Sequence, residues 1–183
     1  MRDSCRKSAT GSIQTSLLIE GPYGHQAPLH TYDTVVLVCG GTGISAGIPY
    51  ILDHIARSTT GKRRTKTTNI QLIWSAKQAS FLKTICREEL ASALGRADFH
   101  ASLSATESVV TAAVSATDSF GIECRRPDVG AMIMDVARDA GSAKVAVLSC
   151  GPIAMVAEAR SAVVAAMNRT KADIDYFEDA YGW

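Results

Sequence analysis

The sequence predicts an α/β fold with a doubly wound parallel sheet that is covered by helices on both faces. Apolar runs rich in β-branched residues alternate along the chain with segments in which apolar residues recur at helical spacing. A glycine-rich turn joins the first regular run to the helical segment after it. The length of 183 residues and the 46% hydrophobic content suit one compact domain.

Strand and helix alternate regularly through the first half of the chain. Residues 35–39 form a continuous apolar run, as expected of a strand covered on both faces, and residues 44–57 follow with helical spacing. After a polar, basic loop, residues 70–74 predict the second strand. Residues 80–94 predict the second helix, and Gly95 marks its end.

The alternation continues through the second half of the chain. Residues 98–103 predict the third strand, and residues 104–119, rich in Ser, Thr and Ala, predict an exposed insertion of low order. Pro127 suits the first turn of a third helix, because its ring fixes φ at a helical value, and Gly141 suits the position after the last turn. The remaining predicted elements are a strand at 144–149, a helix at 152–169 and a strand at 174–177.

Composition excludes several classes of protein. The net charge of +1 supports no extended basic face for nucleic acid. The five cysteines form no C-x-x-C pair and the four histidines show no metal-ligand spacing, so we expect neither disulfides nor a metal, and a cytoplasmic location. The longest uncharged stretch, residues 34–52, is broken by glycines and Pro49, so the chain is predicted to be soluble, without a membrane-spanning segment.

The first glycine-rich turn carries a functional motif. The segment Gly41-Thr42-Gly43-Ile44-Ser45-Ala46 fits G-x-G-x-x-G/A between a predicted strand and a helix. Such a turn lets backbone N–H groups approach a pyrophosphate, and the helix N-terminus adds a partial positive charge. A tight strand-to-helix connection without a ligand is the alternative. The residues predicted to bind a dinucleotide here are Gly40, Gly41, Thr42, Gly43 and Ile44.

The end of the second predicted strand indicates which dinucleotide binds. Sites for NAD usually place Asp or Glu there to bind the ribose hydroxyls, and this sequence has none. Ser75 and Lys77 offer a hydroxyl and an ammonium, which suit a 2′-phosphate, so NADPH is the expected cofactor. Arg125 and Arg126 either add to that phosphate site or form an exposed basic pair.

A second candidate turn, Cys150-Gly151-Pro152, follows a predicted strand near the carboxyl end of the chain. Ligands of open α/β sheets bind at the carboxyl ends of the strands, so the turn is placed to contact a cofactor. The Cys150 side chain is small and polarizable enough to lie beside a nicotinamide ring. Packing without any catalytic role is the alternative for this cysteine.

A competing motif overlaps the glycine turn. Gly43-Ile44-Ser45-Ala46-Gly47 matches the G-x-S-x-G elbow of serine hydrolases, with Ser45 as the nucleophile. Ser45, however, is predicted inside the first helical turn, and neither His54 nor His100 is well placed to act as its base. The serine hydrolase remains an alternative, as does a Rossmann-type domain without catalytic activity.

The motifs together resemble, in order and spacing, the NAD(P)H-binding domain of ferric-chelate reductases and NADPH oxidases, and most closely the fungal metalloreductases. That domain has a Rossmann-like fold of the ferredoxin-reductase type. The resemblance covers nearly the whole chain. The segments that carry it are Glu20-Gly21-Pro22-Tyr23-Gly24, residues 35–45, residues 70–75, Arg126-Pro127-Asp128, Ser149-Cys150-Gly151-Pro152 and residues 176–183.

The resemblance implies roles for particular residues. The turn at Gly41 to Gly43 would hold the pyrophosphate, and Ser75, Lys77 and Arg126 would bind the 2′-phosphate side of the cofactor. Cys150 would lie near the nicotinamide C4 during hydride transfer to FAD. Trp183 would stack on the flavin ring and move aside for the nicotinamide.

The resemblance also implies a longer architecture. Residues 1–24 would be an N-terminal segment linking a flavin-binding domain, which this chain lacks, to the NAD(P)H-binding domain at residues 25–183. Relatives also carry a haem-binding membrane domain, so the chain is expected to be a carboxyl-terminal fragment whose full-length protein works at the cytosolic face of a membrane. A fragment of this kind is expected to be inactive alone.

Overall fold

The computed structural model describes residues 26–60, 64–107 and 120–179. Within these ranges strands and helices alternate, with short 3₁₀ turns at Leu29–Thr31 and Gly41–Gly43. The elements are β1 (Thr34–Gly40), α1 (Ile44–Thr60), β2 (Asn69–Ala76), α2 (Ala79–Glu88), β3 (Phe99–Ala105), α3 (Val129–Ala140), β4 (Lys144–Cys150), α4 (Ile153–Arg169) and β5 (Asp173–Glu178).

The sheet is parallel, with the strand order β3-β2-β1-β4-β5. Strand β1 lies at the centre, where Cys39 pairs with Trp74 of β2 on one side and with Cys150 of β4 on the other. The chain winds outward from β1 to β3 in one direction and from β4 to β5 in the other. The carboxyl ends of β1 and β4 therefore meet at the switch point of the sheet, where ligands of this architecture bind.

Two apolar layers hold the helices against the sheet. On one face, Leu37 and Leu72 belong to a buried cluster that includes residues of α1 and α2. On the other face, Val36 and Val147 belong to a second cluster that includes residues of α3 and α4. Because successive residues of a strand point to opposite faces, an uninterrupted apolar strand is what a sheet with helices on both sides requires. The predicted doubly wound α/β fold is confirmed.

Several predicted helix boundaries need correction. Helix α1 runs to Thr60 instead of residue 57, and α4 begins at Ile153 instead of residue 152. Helix α2 ends at Glu88 instead of residue 94, although Leu90 and Ala93 are still buried in the turns that follow. The spacing of apolar residues indicates which residues are buried, not which are helical. Because residues after Glu88 are still buried, the pattern predicted a helix that is too long. Helix α3 begins at Val129 because Asp128 is its N-cap and accepts a hydrogen bond from the Ala131 N–H at 2.8 Å, so Pro127 precedes the helix.

The predicted insertion begins later than expected. Ser104 and Ala105 belong to β3, and the Ala105 N–H donates to the Glu123 carbonyl at 2.8 Å. The next residue, Thr106, donates its N–H to the Ala76 carbonyl at 2.9 Å. Backbone pairing thus extends the strand through residues whose composition suggested a loop. Residues 108–119, the segment from Glu20 to Gly24 and Trp183 lie outside the described residues.

Candidate functional site

A cleft of about 1220 Å³ lies over the carboxyl ends of the central strands. The turns after β1 and β4 form its floor, and the end of β2 and the loop before α3 contribute its sides. The predicted site residues that line this cleft are Gly40, Gly41, Thr42, Gly43, Ser75, Lys77, Arg126, Cys150, Gly151 and Pro152.

The floor of the cleft is a backbone-to-backbone contact between two glycine-containing turns. A Cβ on Gly43 would lie 2.8 Å from the Cys150 carbonyl carbon, and a Cβ on Gly151 would lie 2.9 Å from the Gly40 Cα. A Cβ on Gly40 would collide with the Pro152 ring. Only glycine permits this approach, because any side chain would separate the two turns.

Gly41 is a glycine for a different reason. Its φ is +55°, in the left-handed region that other residues rarely adopt. A Cβ at this position would meet no atom within 4 Å, so the turn leaves open space beside its backbone. Open space above a turn that enters a helix is the arrangement that lets a phosphate approach backbone N–H groups.

Two helices begin at the cleft. Helix α1 follows the first turn directly, and α4 follows Pro152, so the unpaired N–H groups at both helix starts lie near the floor. Neither helix has an acidic residue in its first turn, so no carboxylate there competes with an anion. Ile44, predicted as a binding residue, does not line the cleft: its side chain is buried in the core and its N–H donates to the Thr42 carbonyl.

One group of polar side chains lies at the β2 end of the cleft. Ser75 is buried at the end of the strand, whereas Lys77 and Arg126 are exposed. Arg125 does not line the cleft, because its Nε–H donates to Glu123 at 2.7 Å. That hydrogen bond holds the pKa of Glu123 below its usual range. The structure thus separates the two neighbouring arginines and brings only Arg126 to the cleft.

Cys150 ends β4 on the floor of the cleft, and its Sγ would lie 3.1 Å from a Cβ on Gly43. Burial raises the pKa of the Cys150 thiol, and the Asp179 carboxylate raises it further. The side chain is therefore an uncharged thiol near neutral pH, unlike the thiolate that nucleophilic catalysis requires. This favours a contact role for Cys150.

Beyond Cys150 the cleft is bounded by β5. The Tyr176 hydroxyl lies 2.5 Å from the Ser149 Oγ and donates to the Val156 carbonyl at 3.2 Å, which ties β5 to both β4 and α4. Arg160 and Glu178 form an ion pair and both line the cleft. Sequence patterns gave no signal for this group, because its members come from three separate elements.

The geometry disfavours the serine hydrolase alternative. Ser45 lines the cleft, but His54 lies nine residues further along the same helix, about 13 Å away along its axis. The His54 Nε2 lies 3.0 Å from the Asp98 carboxylate. Asp98 comes just before the first residue of β3, so this pair lies at the amino ends of the strands, whereas the cleft lies over their carboxyl ends. Among the described histidines, none lines the cleft with Ser45.

Two other properties can be stated for residues 26–60, 64–107 and 120–179. They contain no group of three or more His, Cys, Asp or Glu side chains placed to hold a metal ion. None of the helices in these ranges combines the length and apolarity needed to cross a bilayer.

Fold and cleft together define an α/β domain with an open cleft at the switch point of its parallel sheet, where ligands of this architecture bind. The structure is similar to the CS-b5R domains of human Ncb5or in its NAD+ form, with a TM-score of 0.51 and 13% sequence identity. The similarity covers 85% of this chain and 40% of that one. At this identity the comparison shows a shared α/β fold and nothing about the ligand.

The chain belongs to the family described as the ferric reductase NAD binding domain, whose model matches residues 32–108 and 87–164. Ferric reductase transmembrane component 1 of Schizosaccharomyces pombe is 27% identical over 164 residues, covering 84% of this chain and 28% of that protein. Ferric/cupric reductase transmembrane component 2 of Saccharomyces cerevisiae is 26% identical over 204 residues, covering 98% of this chain and 28% of that protein.

A plant relative, Ferric reduction oxidase 7, chloroplastic, of Arabidopsis thaliana, is 32% identical over 75 residues, or 40% of this chain and 10% of that protein. The chain spans 28% of the length of each of the two yeast relatives. The family assignment confirms the predicted resemblance, and it makes the chain a nicotinamide-nucleotide-binding domain of an oxidoreductase family.

Proposed function

We propose that the chain is the NADPH-binding domain of a flavin-dependent ferric or metal-chelate reductase. Its task is to hold NADPH so that hydride passes to FAD on a companion domain. The observation that carries this proposal is the contact of the Gly41 turn with the Cys150 turn on the cleft floor, since both motifs face one ligand-sized space. The family match and the reductase relatives support the same assignment.

The backbone floor of the cleft supports an extended ligand such as a dinucleotide. The close approach of Gly43 to Cys150 lets two backbone turns lie under one extended ligand, and a Cβ would separate these turns. Gly41, Thr42 and the start of α1 would hold the pyrophosphate through backbone N–H groups. Gly151 and Pro152 would lie under the nicotinamide half, next to the start of α4.

The charges at the β2 end support NADPH over NADH. Lys77 and Arg126 both line the cleft, and β2 ends without a carboxylate that would repel a 2′-phosphate. Ser75 adds a hydroxyl beside them. Charge-assisted hydrogen bonds to phosphate are stronger than neutral ones, so these side chains would favour the phosphorylated cofactor.

The chemistry that the nicotinamide supplies when bound is hydride donation to the flavin. The residues of this chain position and shield it. Cys150, as a neutral thiol, would make a polarizable contact without adding charge beside the ring.

The flavin would be held by a companion domain that packs against this one. Ile153, at the start of α4 on the border of the cleft, is 88% exposed, and the neighbouring Pro152 and Ala154 are exposed too. This apolar edge would contact the flavin-binding domain, with Trp183 stacking on the flavin. The full-length protein would also carry a haem membrane domain, with this domain at the cytosolic face of the membrane. The two yeast relatives named as transmembrane components support the membrane association.

Calorimetric titration of the purified chain with NADP+ and, in parallel, NAD+ tests the proposal. We expect both to bind and NADP+ to bind more tightly at fixed ionic strength. The chain alone should not reduce ferricyanide with NADPH, because the flavin is held elsewhere. A folded chain that binds neither nucleotide would refute the proposed function. Rapid reduction of ferricyanide without flavin would refute the claim that the domain needs FAD on a companion domain to reduce an acceptor.

A further inference from the structure

Trp74 is a buried residue of β2 that reaches the glycine turn after β1. Its side chain is fully buried, and its indole Nε1–H donates to the Gly41 carbonyl at 3.0 Å. The indole ring packs edge-on against Phe81, with ring centroids 5.6 Å apart and an interplanar angle of 77°. A buried tryptophan requires a partner for its N–H, and here the partner is the backbone of the candidate pyrophosphate site.

This hydrogen bond determines the orientation of one peptide unit. The C=O and N–H groups of a trans peptide point in opposite directions. With the Gly41 carbonyl held toward β2, the N–H of Thr42 points away from Trp74. Gly41, at φ +55° with open space where a Cβ would be, is the position in this turn with the most freedom to rotate. Trp74 restricts that rotation.

Trp74 also connects the two binding regions of the cleft. Ser75 follows it directly in β2, and Lys77 comes just after the strand ends at Ala76, so β2 links the indole to the side chains at the 2′-phosphate end. Phe81, which packs against the indole, lines the same cleft. The side chain therefore sets the position of the glycine turn relative to the end of β2.

We propose that Trp74 is a positioning residue for the dinucleotide. It holds the Gly41–Thr42 peptide in the orientation that presents an N–H group to the pyrophosphate. This inference rests on the proposed function, because it concerns the same ligand, and it adds a residue that touches the turn and not the cofactor.

Substitution Trp74→Phe tests the role, since phenylalanine keeps an aromatic ring and removes the donor. We expect the affinity for NADP+ to fall by about fivefold, as for the loss of one hydrogen bond. The affinity for adenosine 2′-monophosphate, which has no pyrophosphate, should stay the same. Equal affinity of the variant and the wild type for NADP+ would overturn the inference, as would a parallel loss for both ligands.

The matched control is Phe99→Leu, which alters another buried aromatic residue of the sheet, at the amino end of β3. It should lower stability without lowering the affinity for NADP+. A loss of affinity equal to that of Trp74→Phe would show that the effect comes from general loosening of the sheet, and would overturn the positioning role.

A spectroscopic readout reports on the hydrogen bond directly. The chain has two tryptophans, and the indole N–H resonance of Trp74 is the one absent from the Trp74→Phe spectrum. We expect this resonance to shift when NADP+ is added and not when adenosine 2′-monophosphate is added. A resonance unmoved by saturating NADP+ would overturn the inference alone, whereas a wild-type chain that binds no nucleotide would overturn the proposed function as well.

Discussion

Gly43→Ala should disrupt the floor of the cleft. A Cβ at this position would collide with the Cys150 carbonyl oxygen and would lie 2.8 Å from the carbonyl carbon, so the two turns would have to move apart by more than the ~0.6 Å that restores 3.4 Å to the carbon alone. The obstacle is backbone, which cannot swing aside as a flexible side chain can. Overpacking of this kind costs about 2 kcal/mol of folding free energy.

Two assays measure this effect. For a chain of this size, about 2 kcal/mol corresponds to a fall in Tm of about 4 to 8 °C, which thermal unfolding followed by circular dichroism would detect. Calorimetry at a temperature where the variant is folded should show NADP+ affinity reduced by about tenfold, because pyrophosphate contacts depend on the position of the turn.

The matched control is Gly130→Ala, in the first turn of α3, where a Cβ would make an ordinary contact of 3.5 Å with Asp128. Alanine favours helix over glycine, so this variant should keep or slightly raise the Tm and bind NADP+ normally. A Gly43→Ala variant with wild-type Tm and wild-type affinity would refute the claim that the two turns must touch.

Three further outcomes follow from other residues. Lys77→Ala should weaken NADP+ by about tenfold and leave NAD+ nearly unchanged in calorimetry, because one charged contact to the 2′-phosphate is lost; equal losses for both would contradict NADPH selectivity. The Arg96 guanidinium holds the pKa of Asp98 well below its usual range, so the stabilisation is present above about pH 4 and is lost as the pH falls further. Asp98→Asn should therefore lower the urea midpoint at pH 6 more than at pH 3, and a constant difference would contradict this. Iodoacetamide at neutral pH should label the exposed Cys124 much faster than Cys150, whose thiol pKa is raised by burial; rapid labelling of Cys150 in peptide mass spectra would show an accessible thiolate.

Controls for the first two outcomes lie on the exposed surface of the same chain. Lys171 is exposed and lies before β5, at the amino edge of the sheet, so Lys171→Ala should leave the affinities for NADP+ and NAD+ unchanged. Asp135 pairs with Arg138 at 3.1 Å, but both side chains are more than half exposed. Exposed pairs contribute little, so Asp135→Asn should not alter the pH dependence of the urea midpoint.

Local patterns were sufficient to predict the elements that place the site. The apolar run before Gly41 and the helical spacing after Ile44 each depend on residues close together in sequence, and the structure has a strand and a helix there. The Cys150 turn was predictable for the same reason. Boundaries depended on longer-range effects: β3 continues through Ser104 because its backbone pairs with Glu123, which is remote in sequence.

The role of Trp74 had only a partial signal in the sequence. A tryptophan inside an apolar strand must find a hydrogen-bond acceptor when it is buried, but the acceptor is a carbonyl 33 positions away. The difference between Arg125 and Arg126 had no signal, because it depends on the position of Glu123 beside only one of them. The acceptor of the Trp74 N–H and the position of each arginine depend on packing between elements, and the periodicity of a sequence does not describe that packing.

The floor of the cleft is formed by backbone and its β2 end by side chains, so the two regions differ in how well they tolerate amino-acid substitutions. The floor at Gly40, Gly43 and Gly151 is backbone, so almost any substitution there alters the shape of the domain. The end at Lys77 and Arg126 consists of exposed side chains that can be replaced without moving a strand. A domain divided in this way can change its choice between two cofactors through surface substitutions alone, while the geometry that serves the common part of both cofactors stays the same.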